Sequence, residues 1–289
     1  MSDQDRKLAW VLGGGGLRGA SEVGMARALA ARGLQPDLIV GTSIGSLNGA
    51  VLASAPVERS ILHLTRMWEE MRASSVFGES LVQRVRHLVD HWTHLHSNDP
   101  LRRLVERWVP FSKLEEAHVE VQTCAACIET SSEHWFTEGP VVDAVLASCA
   151  LPGVLPPVNV GGRHYIDGGV VNSIPVSRAI ELGATEVYVL HVGHIDDPLE
   201  VPRHPWDVAM VSFEIARRHR FHRELETVGD RVEVHVLPTG RPSGRYNDLS
   251  KLRYNHDKAI RSRIETAERA TAAYLAGAVG PTSGEGRSR

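Results

Sequence analysis

Gly41-Thr42-Ser43-Ile44-Gly45 is a GxSxG pentapeptide set between an apolar run, Leu38 to Val40, and a small-residue stretch of helical character, Ile44 to Ala53. A serine in such a strand-to-helix turn sits on strained backbone with its hydroxyl exposed. Glycines flank it because a Cβ would foul the turn. The hydroxyl is a weak nucleophile at neutral pH and needs a base. Upstream, Gly13 to Gly19 (GGGGLRG) offers backbone N–H groups ahead of a helix, an arrangement that suits an oxyanion. The two stretches are complementary halves of an acyl-transfer site.

The glycine run also contains GxGxxG at Gly14, Gly16 and Gly19, which suits a dinucleotide. That use requires an acid about 20 residues on, at the end of the second strand. Here Asp37 precedes the strand and Gly41 to Gly45 occupy its end, so a nucleotide-binding module stands as the alternative. For the base, the usual α/β-hydrolase order of serine, acid and histidine, with the serine deep in the chain, fits poorly. Asp167, in Asp167-Gly168-Gly169 after a hairpin, is the other candidate, although a lone Asp-Gly is usually only a turn.

GGGGLRG, GTSIG and DGG, in this order, resemble the patatin-like phospholipase family, as do Ala147 to Pro157 (ASCALPGVLPP) and Asp167 to Val176 (DGGVVNSIPV). The resemblance covers roughly residues 8 to 190. It implies a three-layer α/β fold, with a mostly parallel central sheet wrapped by helices, and a lipid acyl hydrolase working without a catalytic histidine. Carried over by position, Ser43 is the nucleophile and Asp167 the general base. Gly14, Gly15 and Gly16 supply the oxyanion N–H groups and Arg18 is the loop's basic residue. Gly19, Gly41, Gly45, Gly168 and Gly169 are motif glycines. Acyl transfer to an alcohol would use the same dyad with water excluded. Leu155 departs from the family, which commonly has an aromatic there, and this bears on the acyl pocket rather than the chemistry.

The remaining sequence supplies the elements that position these groups. Leu8 to Leu12, Leu38 to Val40 and Val187 to Leu190 read as buried strands, and Val23 to Ala30 as a helix closed by Gly33. Gly161-Gly162 marks a tight hairpin between Val158 and Ile166. Glu58 to Trp108 reads as helical, with a stripe of Leu81, Val85, Leu88, Trp92 and Leu95. Its Met67, Trp68, Met71, Phe77 and Trp92 could cap the acyl site or simply pack on the sheet. Asp99-Pro100 suggests a helix start, and Ser112 with Glu115 a capping box. Helices are also expected over Asp207 to Glu226 and Leu249 to Leu275, with a strand from Arg231 to Leu237 between them. One domain is expected over residues 8–276, between a flexible stretch at 1–7 and a disordered tail at 277–289.

Composition narrows the partners. With 32 Lys and Arg against 35 Asp and Glu, the net charge of -3 argues against a nucleic-acid binder. No signal-like or membrane-spanning apolar stretch is present, so a cytoplasmic protein meeting lipid at most peripherally is expected. The substrate expected is a lipid or other acyl ester; no cofactor and no metal are called for, and the oligomeric state is not legible. Cys124 and Cys127 form a CxxC, but in the strand Val119 to Ile128 residues three apart face opposite ways and cannot share a metal. His87, His91 and His94, with His96 nearby, have zinc-like spacing, yet a solvated helix face accounts for them. Arg217 to Arg223 (RRHRFHR) could dock on anionic lipid. Its flanking Glu214, Glu224 and Glu226 favour an ordinary charged face.

Overall fold

A computed structural model describes residues 6–73, 96–193, 195, 198–202, 205–229, 232–240 and 257–277. The expected stripe from Leu81 to Leu95, with Phe77, Trp92, His87, His91 and His94, lies outside them, as do residues 1–5, 249–256 and 278–289.

Among the described residues eight strands form one sheet: β1 (Leu8–Leu12), β2 (Leu38–Thr42), β3 (Glu120–Cys127), β4 (Ser132–Phe136), β5 (Val158–Val160), β6 (Arg163–Asp167), β7 (Glu186–Leu190) and β8 (Glu233–Val236). The hydrogen-bonded order is β5-β6-β3-β2-β1-β7-β8, with β4 also paired to β3. The β1–β2, β2–β3, β1–β7 and β7–β8 pairs are parallel, while β4 and β6 run antiparallel to β3, and β5 to β6. The helices are α1 (Ala20–Ala30), α2 (Ile44–Leu52), α3 (Val57–Ala73), α4 (Asp99–Trp108), α5 (Val141–Ser148), α6 (Val176–Glu181), α7 (Pro205–Glu226) and α8 (Asp257–Leu275).

The three layers follow from the two-residue period of a strand buried on both faces. Leu8, Trp10 and Leu12 enter a core shared with α1 to α5 and α8, whereas Ala9 and Val11 enter a second core with α6 and Phe221 of α7. Met67, Trp68 and Met71 of α3 are buried in the first core, so this part of the 58–108 segment packs on the sheet layer. α1 ends as its sequence suggests. Gly33, at φ +71°, donates its N–H to Ala30 O and Leu34 donates to Leu29 O, which closes the last turn. Gly161 and Gly162, at φ +59° and +82°, form the two-residue turn between β5 and β6.

Two local expectations are corrected. Asn98, not Asp99, is the residue before α4, and Asp99 lies in its first turn. The carboxylate that caps near residue 112 is Glu116, not Glu115. It accepts the N–H groups of Ser112 and Lys113, and Glu115 instead takes Gly139 N–H. The element capped is only the short 3-10 turn Leu114–Glu116.

One topological detail decides the geometry of the site. Cys124 of β3 pairs with both Thr42 of β2 and Trp135 of β4, and Ala125 pairs with both His134 of β4 and Asp167 of β6. A strand has two edges, so β4 takes one and β2 and β6 share the other end to end. β2 runs parallel to β3 and stops at Thr42, and β6 runs antiparallel and stops at Asp167. The two chain ends therefore arrive at consecutive β3 positions from opposite directions.

Candidate active site

Ser43 is the residue that follows β2, and it turns the chain into α2 with φ +56° and ψ -127°. That left-handed conformation is strained for a residue with a Cβ. Gly41 and Gly45 make the turn sterically possible. A Cβ on Gly41 would lie 2.5 Å from Gly45 O, and one on Gly45 would collide with Leu12 O. The strained backbone is pinned at both peptide groups: Ser43 N–H donates to Ser148 Oγ (2.9 Å), and Ser43 O accepts from Ser46 Oγ (2.6 Å) and Ser46 N–H (2.8 Å).

Asp167 is delivered head-on by β6, and Ser43 Oγ donates to its Oδ2 at 2.6 Å. The other oxygen, Oδ1, accepts Gly169 N–H at 2.7 Å, and Asp167 N–H donates to Ala150 O at 2.9 Å. Gly168 lies against Cys124 O, where no side chain fits. Burial pushes the Asp167 carboxyl up to about 6, because desolvation outweighs the hydrogen bonds from Ser43 and Gly169, which favour the ionised form. The arrangement can hold a proton acceptor poised near neutral pH against a serine hydroxyl. Thr42 Oγ1 donates to Asn172 O (2.8 Å), which ties the end of β2 to the turn after Asp167.

Because Leu12 pairs with Gly41 and with Leu190, the glycine run leaves β1 at the same sheet end as Ser43 and the segment after β7. A Cβ on Gly14 would sit 3.4 Å from Ser43 Cβ, so the loop flanks the serine. Its donors are not equivalent. Gly13 N–H is taken by Leu190 O and Gly14 N–H by Ser173 O, whereas Gly15 and Gly16 are exposed. Gly16 has φ +56°, and with Arg18 and Gly19 it forms a 3-10 turn leading into α1; Arg18 N–H returns to Gly15 O. Gly19 packs on Ile44 and Trp68, and its carbonyl accepts from Asn48 of α2. Asp37, the acid weighed for a nucleotide, lies at the other end of β2, where its carboxylate accepts Leu8 N–H at 2.8 Å.

The features weighed as secondary resolve as follows. Cys124 and Cys127 are buried free thiols, and Leu155 is buried in the first core. His96 is buried and donates its N–H to Val154 O, and no metal-holding group of side chains occurs among the described residues. The basic stretch on α7 is tied up in ion pairs: Arg217 and Arg218 with Glu214, Arg220 with Glu224 and with Glu133 of β4. Only Arg223 in this stretch pairs out in solvent, with Glu226. No described helix is long and apolar enough to cross a membrane.

The sequence profile of the patatin-like phospholipase family matches residues 10–180, more than half of the chain. The chain belongs to the patatin-like phospholipase family. Lysophospholipase NTE1 of Mycosarcoma maydis is 32% identical over 196 residues, 66% of this chain and 10% of that protein. Patatin-like phospholipase domain-containing protein 6 of Homo sapiens is 32% identical over 192 residues, again 66% of this chain and 14% of its own length. The chain therefore spans a small fraction of these curated relatives. VipD from Legionella pneumophila superposes with a TM-score of 0.51 at 12% identity, covering 94% of this chain and 67% of VipD, a likeness of fold. The patatin-like match takes in the glycine loop, Ser43 and Asp167 alike. Ser148, Ala150 and Asn172 also touch the site through hydrogen bonds that no local pattern announces.

Proposed function

We propose that this protein hydrolyses carboxylic ester bonds of lipids, with Ser43 as nucleophile and Asp167 as general base. The observation that carries this reading is the 2.6 Å hydrogen bond from Ser43 Oγ to a buried carboxylate poised near 6. The acceptor of the serine proton is a carboxylate, not an imidazole. Family membership and the curated relative called a lysophospholipase supply the substrate class.

In this mechanism Asp167 Oδ2 takes the hydroxyl proton as Ser43 Oγ bonds to the ester carbonyl carbon. The carbonyl oxygen becomes an oxyanion, and the N–H groups of the exposed residues Gly15 and Gly16 are its donors; Gly14 N–H is already engaged with Ser173 O. Collapse breaks the ester C–O bond, and the leaving alkoxide takes the proton from Asp167. Water then gives its proton to the same carboxylate as it attacks the acyl-enzyme. The second collapse returns that proton to Ser43 and frees the acid.

The test pairs a fluorophosphonate probe with a panel of phospholipids, lysophospholipids and acylglycerols. Wild type should be labelled at Ser43 and release fatty acid from at least one lipid class, and Ser43→Ala should do neither. Absence of labelling in folded wild type would refute the nucleophile. Product that appears only with an added alcohol acceptor would move the assignment to acyl transfer. A nucleotide-binding module predicts no labelling and a nucleotide-induced rise in Tm.

A further inference from the structure

The two candidate catalytic residues share an anchor outside the motifs that carry them. Three consecutive residues at the end of α5 reach the site in turn. Ser148 Oγ accepts Ser43 N–H at 2.9 Å. Cys149 Sγ lies 3.7 Å from Ser46 Oγ, the hydroxyl that holds Ser43 O. Ala150 O accepts Asp167 N–H at 2.9 Å. Ser148, Cys149 and Ala150 are all buried. We propose that this segment sets the spacing of the Ser43–Asp167 pair and that Ser148 is its positioning residue. The inference rests on the proposed dyad.

The physical case begins with strain. Ser43 has φ +56° with a Cβ, a conformation that persists only when its surroundings over-determine it. Its carbonyl is doubly held from within α2, by Ser46 N–H and Ser46 Oγ, so that side of the elbow is local. Its N–H is held from another helix, 105 residues away in sequence. Removing Ser148 Oγ leaves a part-buried donor unmatched, and the peptide can then rotate toward an ordinary conformation. Such a rotation would swing Oγ off Asp167 Oδ2. Asp167 would stay in place, because its own N–H bond to Ala150 and its register against Ala125 are backbone contacts. A displacement of about 1 Å between reacting groups costs on the order of 100-fold in rate.

Ser148→Ala tests this with the fluorophosphonate probe, read as rate and as stoichiometry. The expected result is a labelling rate lower by about 10- to 100-fold, with one Ser43 labelled per molecule at the end point. The rising limb of the pH–rate profile should move to higher pH, since the displaced Ser43 hydroxyl no longer favours the ionised form of Asp167. KM for a soluble ester should move far less than kcat, and Ser148→Thr, which keeps the hydroxyl, should recover much of the rate. A purely structural role predicts a lower labelled fraction at an unchanged rate per labelled molecule. That result, or a folded Ser148→Ala labelling within twofold of wild type, overturns the proposal. Should neither variant fold, amide exchange on wild type decides: Ser43 N–H must be protected like the amides of β2, and rapid exchange overturns it. Unlabelled wild type would instead count against the nucleophile itself, so the two failures are distinct.

Discussion

Asp167→Asn should raise stability at the pH where it abolishes turnover. The carboxyl is 2% exposed, and burial lifts it from an ordinary 3.8 to about 6. A carboxyl with a higher folded value binds protons more tightly in the native state. Its contribution to stability is complete below about pH 4 and is lost as pH rises through about 6. At 1.36 kcal/mol per unit the loss is about 3 kcal/mol at pH 8, and about 1.6 kcal/mol at pH 5, where the native carboxyl is still mostly protonated. Asparagine removes this titration. Its Oδ1 can keep the Gly169 N–H and its Nδ2 can face Ser43 Oγ, leaving one amide hydrogen unmatched at a cost of about 1 kcal/mol. The variant should therefore be more stable than wild type by about 2 kcal/mol at pH 8 and by well under 1 kcal/mol at pH 5. That fixed cost cancels in the difference between the two pH values, which should be about 1.4 kcal/mol. Urea unfolding of both proteins at pH 5 and pH 8 measures it. A stability gap that does not widen with pH would refute the burial argument and, with it, the poised base. In wild type, kcat/KM should fall as pH drops through about 6, in step with protonation of the same group.

Two further outcomes follow from the elbow and the loop. Ser43→Gly and Ser43→Ala should both be inactive, yet the glycine variant should be more stable in thermal unfolding by about 1 kcal/mol, because φ +56° costs a glycine nothing. A Cβ on Gly15 would overlap Val192 Cγ2, so Gly15→Ala should lower both Tm and labelling rate. Adding Val192→Ala should restore the Tm and the labelling rate together, because alanine keeps the backbone N–H once the clash is gone; a rate still low at a restored Tm would refute the clash as its cause.

The placement of the candidate residues was largely legible because it is written in short motifs. GTSIG placed the serine after a strand, the paired glycines placed the hairpin that carries Asp167, and the alternation of strands with helices, with the family resemblance, gave the layers. Contacts set by long-range register were not legible. Nothing in GGGGLRG distinguishes Gly14, whose N–H goes to Ser173 O, from Gly15 and Gly16; that depends on where residue 173 returns to the sheet. The flanking glutamates already favoured an ordinary charged face for the arginines of α7, but the further partner of Arg220, Glu133, was not legible because it lies 87 residues away on β4. Ser148 sat inside a recognised segment with no visible role, since its acceptor bond exists only once α5 packs beside the elbow. The capping errors at Asp99 and Glu115 are single-residue shifts, the scale at which helix boundaries depend on packing.

The end-to-end meeting of β2 and β6 on one edge of β3 has a consequence for how the protein comes into being. Ser43 emerges 124 residues before Asp167. The strand that registers them pairs with β2 and β6 over long sequence separations, and such pairings form slowly because each closes a long loop. A chain released or refolding with β1 and β2 formed would present Ser43 without the Asp167 carboxylate, and under the proposed mechanism could not attack an ester. Recovery of Ser43 labelling during refolding should therefore lag helix formation and coincide with the pairing of β6 on β3, making the labelled serine a clock for that step of folding.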